Sequence, residues 1–99
     1  MESTRLNKIG RLLQKELSDI FLLQTKAMPG TLVSVSVVRV SPDLSIARVY
    51  LSIFPSGKAP EILEAIRLNT KAIRFDLGQR VHLQLRKIPD LSFYVDDSL

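Results

Sequence analysis

Cysteine and tryptophan are absent from the 99 residues, and histidine occurs once. Without cysteine there is no disulfide framework and no thiolate metal site, which fits a cytosolic home. The single histidine, His82, has no neighbouring Cys or carboxylate and reads as a solvent-face or interfacial residue. Asp96-Asp97 is the one adjacent carboxylate pair, and neighbours on an extended chain point to opposite faces. Such terminal aspartates solubilise an end more often than they bind metal. No Walker loop, Gly-x-Gly-x-x-Gly or Gly-x-Ser-x-Gly occurs. Acid–base, metal and nucleophilic mechanisms all lack their parts, so no enzyme, cofactor, metal or small-molecule substrate is expected. No apolar run reaches the roughly 18 residues of a membrane span, and charges interrupt the first segment where a signal peptide would be apolar.

What is present is a core and a basic balance. Hydrophobic residues make up 45% of the chain, enough for one small domain over residues 1–99. Fourteen Lys+Arg face ten Asp+Glu, giving a formal charge of +4. Because Asp90, Asp96 and Asp97 crowd the C-terminal end, the remainder is more basic than the total.

Periodicity sets the order of elements. Leu6, Ile9, Leu13, Leu17 and Ile20 step by three and four, which predicts an amphipathic helix over Thr4–Thr25, stopped by Met28-Pro29-Gly30. Leu32–Val40 and Ile46–Phe54 alternate as two strands joined by the turn Ser41-Pro42-Asp43-Leu44-Ser45. The phase slips at Val37-Val38, which allows a bulge. Pro60 suits a first helical turn, and helical pattern follows to Leu77 with Gly78 as C-cap. Asn69-Thr70, two weak helix formers, predict a kink or tight turn inside it. Val81, Leu83 and Leu85 then alternate as a third strand, ended by Pro89, and Leu91, Phe93 and Val95 alternate in an extended tail. The order is α-β-β-α(kinked)-α-β.

Cations cluster on the predicted helices. Arg5, Lys8, Arg11 and Lys15 fall within an arc of roughly 120° beside the apolar stripe. Arg67, Lys71 and Arg74 step by four and three, with Arg80 past the end and Arg86 and Lys87 beyond it. One such stripe is ordinarily a solvated face. Two that align would form a groove for a phosphate backbone. Tyr50, on the polar side of its strand, either stacks on a base or pairs across the sheet.

Two blocks resemble a known family. The hairpin reads Val40-Ser41-Pro42-Asp43-Leu44-Ser45-Ile46-Ala47-Arg48-Val49-Tyr50-Leu51-Ser52, and the end reads Ile88-Pro89-Asp90-Leu91-Ser92-Phe93-Tyr94-Val95-Asp96-Asp97-Ser98-Leu99. Together with Ile73-Arg74 and Leu77-Gly78, they resemble ribosome-binding factor A across essentially the whole chain. That resemblance implies an α+β, KH-like fold of type II order, with a three-stranded sheet and helices on one face. It implies a factor that binds the immature 30S subunit and its 16S rRNA late in maturation, including in the cold; a cytoplasmic location agrees with the lack of cysteine, and a monomer is expected because no spare hydrophobic stripe is evident. Where the family has an Ala-x-Gly kink, this chain has Asn69-Thr70-Lys71, so lysine replaces the glycine and offers a phosphate partner. Relatives commonly continue with a flexible tail beyond the position of Asp97-Ser98-Leu99, so a shortened chain or a compact member is expected. The residues expected at rRNA are Lys8, Arg11, Lys15, Arg67, Asn69, Lys71, Arg74 and Arg80, with Asn69 shaping the turn. A protein-interaction module, its basic face on an acidic partner, is the alternative.

Overall fold

The apolar stripe of the first segment becomes the buried face of a helix. A computed structural model describes residues 4–26 and 29–96. In it α1 (Thr4–Thr25) buries Ile9, Leu13, Leu17, Ile20 and Phe21. Leu6 is half-buried at the start of the stripe. Of the expected stop, Met28 lies outside the described residues, and Gly30 takes a φ of 81° that a side chain would disfavour.

The hairpin forms as its alternation requires. β1 (Leu32–Val40) pairs antiparallel with β2 (Ile46–Phe54), in a register that sets Val40 opposite Ala47 and Arg39 opposite Arg48. The register shifts between Val35 and Val37, a bulge where the phase slips. Ala47, Val49, Leu51 and Ile53 turn inward and are buried; Arg48, Ser52 and Phe54 face solvent. In the turn, one Asp43 carboxylate oxygen accepts from Ser41 Oγ (2.8 Å), Ser45 Oγ (2.7 Å) and the Ser45 N–H (3.1 Å). These donors pull the Asp43 pKa down to about 2, because they bond the charged form.

α1 packs on the edge strand β1 at very short range. A Cβ on Gly10 would lie 3.0 Å from the Val38 carbonyl oxygen, so a side chain here would require helix or strand to give by a few tenths of an ångström. The Gln14 amide then donates to the Val35 and Ser36 carbonyls at the bulge (3.3 and 3.2 Å). Farther along, Phe21 meets Phe93 edge-on at 6.0 Å, so the helix reaches over the sheet toward its other side.

After a single 3-10 turn at Ser56–Lys58 come α2 (Ala59–Leu68) and α3 (Thr70–Val81). Pro60 stands in the first turn of α2. Asn69 is the joint, at φ −101° and ψ 13°; its N–H bonds back to Ala65 and Ile66 while its carbonyl starts α3 by accepting from Ile73. The expected kink is therefore a break between two helices.

The third strand is not where alternation placed it. α3 runs through Gly78 to Val81, residues 82–89 are turn and irregular chain, and β3 is Asp90–Val95. Ile73, Leu77, Val81 and Leu85 are all buried at steps of four, whereas Leu83 is 87% exposed. The helical period thus won over a period of two that shared Val81 and Leu85 with it. The stretch expected as an extended tail is the actual third strand.

β3 pairs parallel with β2, Phe93 beside Val49 and Tyr94 beside Tyr50, giving the order β1-β2-β3. Parallel neighbours need a long crossover, and α2 with α3 supply it. The result is α+β, with three helices on one face of a mixed sheet and the other face open.

Candidate nucleic-acid interface

The outer side of α1 carries the exposed residues Lys8, Arg11 and Lys15. Burial of the Leu13–Leu17 side obliges positions 8, 11 and 15 to point away from the sheet. None of the three takes part in the ion pairs that Arg74 and Arg80 make. This is a cationic ridge open to a partner.

The second basic group is arranged differently. Arg67 Nη2 donates to the Phe93 carbonyl at 2.9 Å. Arg74 donates from Nε to the Pro89 carbonyl (3.2 Å) and from Nη2 to that of Ile88 (2.6 Å), with Nε 3.6 Å from the Asp90 carboxylate. Both guanidinium groups therefore tie α2 and α3 to β3 and the chain leading into it. Arg80 turns the other way, 3.5 Å from Glu16 on α1 and 3.6 Å from Asp76. Lys71 and Asn69 are exposed at the helix joint. The eight residues do not line a single groove. They divide into the α1 ridge, the joint, and three arginines with partners in the fold, of which Arg67 and Arg74 are also exposed to solvent.

Three features escape a reading by helical stripes. Phe75, 70% exposed, stands one turn beyond Lys71 on α3 and adds an aromatic surface at the joint. A groove between α1 and the β1 edge is lined by Asn7, Arg11 and Gln14 from the helix and by Arg39 and Arg48 from the hairpin. Counting back from the turn would have set Arg39 against Arg48, since Val40 meets Ala47. Beside that rung, Tyr50 and Tyr94 stack at 5.5 Å between centroids and 27° between planes. Ser92 Oγ donates to the Tyr94 hydroxyl at 2.9 Å. Tyr50 thus pairs across the sheet, one of its two expected roles.

His82 lies exposed with Nδ1 2.9 Å from the Gln79 carbonyl. Asp97 of the Asp96-Asp97 pair lies outside the described residues. Among the described residues no group of three or more His, Cys, Asp and Glu gathers as a metal site, and no helix is long and apolar enough to cross a membrane.

This architecture and sequence have relatives. The family model described as ribosome-binding factor A matches residues 5–99. A protein of that name from Flavobacterium psychrophilum is 54% identical over all of this chain and 78% of its own length. One from Cytophaga hutchinsonii is 45% identical over all of this chain and 75% of its own. Among solved structures, the crystal structure of ribosome-binding factor A from Thermus thermophilus superposes with a TM-score of 0.72 at 25% identity, covering 91% of this chain and 94% of that one. A homology model of the Thermus thermophilus factor, as fitted into an electron-microscopy map of its complex with the 30S subunit, gives 0.66 at 28% identity, over 84% and 86%. The shared fold is KH-like, and the chain belongs to the ribosome-binding factor A family.

Proposed function

We propose that this protein binds the immature 30S subunit through its 16S rRNA and assists late maturation, including in the cold, as a cytoplasmic monomer. The observation that carries the reading is the α1 ridge of Lys8, Arg11 and Lys15, exposed in a member of a ribosome-binding family. The structural relative fitted into a 30S complex supports the small subunit as target. Phosphates would meet Lys8, Arg11 and Lys15 on one side and Lys71 at the joint, while Asn69 holds the break in the helices. Arg67, Arg74 and Arg80 contribute by keeping these surfaces in place, and the exposed part of Arg74 adds positive potential. The mechanism needs no chemistry. A protein that binds one rRNA conformation more tightly than another shifts their populations by the difference in affinity.

The test is replacement of the resident factor in a bacterium that lacks its own. Expression of this chain is expected to reduce precursor 16S rRNA and free subunits at low temperature. Lys8→Glu with Lys15→Glu is expected to abolish that rescue. Rescue that survives both substitutions would overturn the assigned surface, and no rescue by the unaltered, folded protein would overturn the function. Small-subunit association that persists after the rRNA is digested would favour the acidic-protein partner instead.

A further inference from the structure

α3 carries apolar residues on two opposite faces. Ile73, Leu77 and Val81 are buried, whereas Phe75, roughly 160° round the helix from Leu77, is 70% exposed. The fold gains little from that ring, the most exposed aromatic side chain among the described residues. Phe54, the next, stands opposite the exposed Leu32 on the paired strand and so has an apolar neighbour. Phe75 has polar ones. Lys71 and Gln79, one turn before and after it, lie within about 40° of its direction round the helix, and His82 within about 20°. All three are exposed. The exposed leucines of this arm, Leu68 and Leu83, stand beyond either end of α3, roughly two turns from the ring.

Charge decides what such a ring can meet. Lys71 makes no ion pair or hydrogen bond among the described residues, and its flexible stem leaves the ammonium free to follow a phosphate. Arg74, partly exposed, adds positive charge on the same side of the ring as Lys71. Asp76 is the only acid of α3; it lies on the other side, roughly 100° away, and faces Arg80 at 3.6 Å. Ala72, beside Phe75, is too short to cover the ring. An apolar protein surface would bury the Lys71 ammonium without a partner, which is costly. A nucleotide offers a flat base to the ring and a phosphate to the ammonium together. Cations beside an exposed aromatic are the arrangement that single strands use, with little dependence on base identity.

We propose that the outer face of α3 holds an unpaired RNA nucleotide, its base stacked on Phe75 and its phosphate at Lys71. The site rests on the rRNA-binding reading above and deepens it. Lys71 acts there with a stacking partner, so this arm takes a strand with a base turned out, while the α1 ridge meets phosphates alone.

The test combines an adenosine decanucleotide with isolated small subunits. Because Phe75 is exposed, Phe75→Ala, Phe75→Leu and Phe75→Tyr should leave thermal unfolding nearly unchanged. For the unaltered protein, the decanucleotide is expected to move the Phe75 ring-proton signals upfield, the signature of a base lying over the ring. Phe75→Ala and Phe75→Leu should each weaken decanucleotide binding by roughly 10-fold, the scale of one lost base stack, whereas Phe75→Tyr should keep it. Lys71→Gln should lower the slope of log affinity against log salt by about 0.7, the share of one single-strand phosphate contact, and the Phe75 variants should leave the slope unchanged. Equal affinity in all three Phe75 variants with unshifted ring protons, while small subunits still bind, overturns the stacking site alone. Absence of small-subunit binding by the unaltered, folded protein overturns the underlying reading and the site with it. Leucine restoring to small-subunit binding what alanine loses marks an apolar protein contact and overturns the nucleotide.

Discussion

The two edges of the sheet put the same residue type to different use. At the β3 edge, Arg67 gives one donor to the Phe93 carbonyl, and Arg74 gives two, to those of Pro89 and Ile88. Toward the β1 edge, Arg11 and Arg48 line an open groove, and Lys8 and Lys15 stand exposed on the helix above it. A guanidinium that bonds several backbone carbonyls acts as a clamp, because each loss leaves an acceptor without its donor. One facing solvent contributes little to folding and is available to phosphate. A count of cations, or even their helical spacing, does not distinguish the two uses.

The largest expected effect is on binding at the α1 side. Lys8→Glu, Arg11→Glu and Lys15→Glu together should weaken small-subunit association about 100-fold at ~0.1 M salt, since three lost phosphate contacts remove roughly two units of salt slope. The thermal midpoint should hardly move. At the β3 side the pattern reverses. Arg74→Ala should lower stability by about 1–2 kcal/mol in chemical denaturation, after discounting for its partly exposed position, with a smaller change in affinity. Equal effects on both measurements in both variants would dissolve the contrast.

Gly10→Ala sharpens it from within the β1 side. The added methyl would lie 3.0 Å from the Val38 carbonyl oxygen, so the gain of about 0.5–1 kcal/mol that alanine brings to a helix interior is offset by the shift α1 must make, and no net stabilisation is expected. The exposed cations of the ridge keep their charge in this variant, so small-subunit affinity should hardly move, the converse of the ridge variant. The smallest effect concerns Asp43. Its pKa is about 2 in the folded state against an ordinary 3.8, so its stabilisation of the hairpin is complete above about pH 4 and fades as pH falls toward 2. Asp43→Asn should remove that part of the acid dependence, read as a flatter unfolding midpoint between about pH 4 and 2.

Much of this organisation is legible in the sequence, for identifiable reasons. The α1 stripe persists over several turns, long enough for its period to be unambiguous. The hairpin couples alternating strands to a turn whose Asp43 and serines bond one another, and the bulge shows as a break in phase. The break at Asn69 follows from two weak helix formers side by side. The strand expected at Val81–Arg86 fails because three apolar residues two apart include two that are four apart, and a short window cannot choose between the periods. Only the third residue decides, and Leu83 is exposed. The partners of Arg67 and Arg74 are 14 to 26 residues away in sequence, across a crossover, so helical spacing has no access to them. Arg39 and Arg48 were reachable through hairpin register, but cations on strands do not form the stripes that draw attention on helices.

The most direct test of the division between edges is small-subunit co-sedimentation across a salt series, run in parallel for the unaltered protein, the Lys8/Arg11/Lys15 charge-reversal variant and Arg74→Ala. The expected result is selective small-subunit binding that weakens steeply with salt, a slope reduced by about two in the α1 variant, and a nearly unchanged slope in Arg74→Ala where it remains folded. A full slope in the α1 variant, with the loss appearing in folded Arg74→Ala instead, would contradict that division.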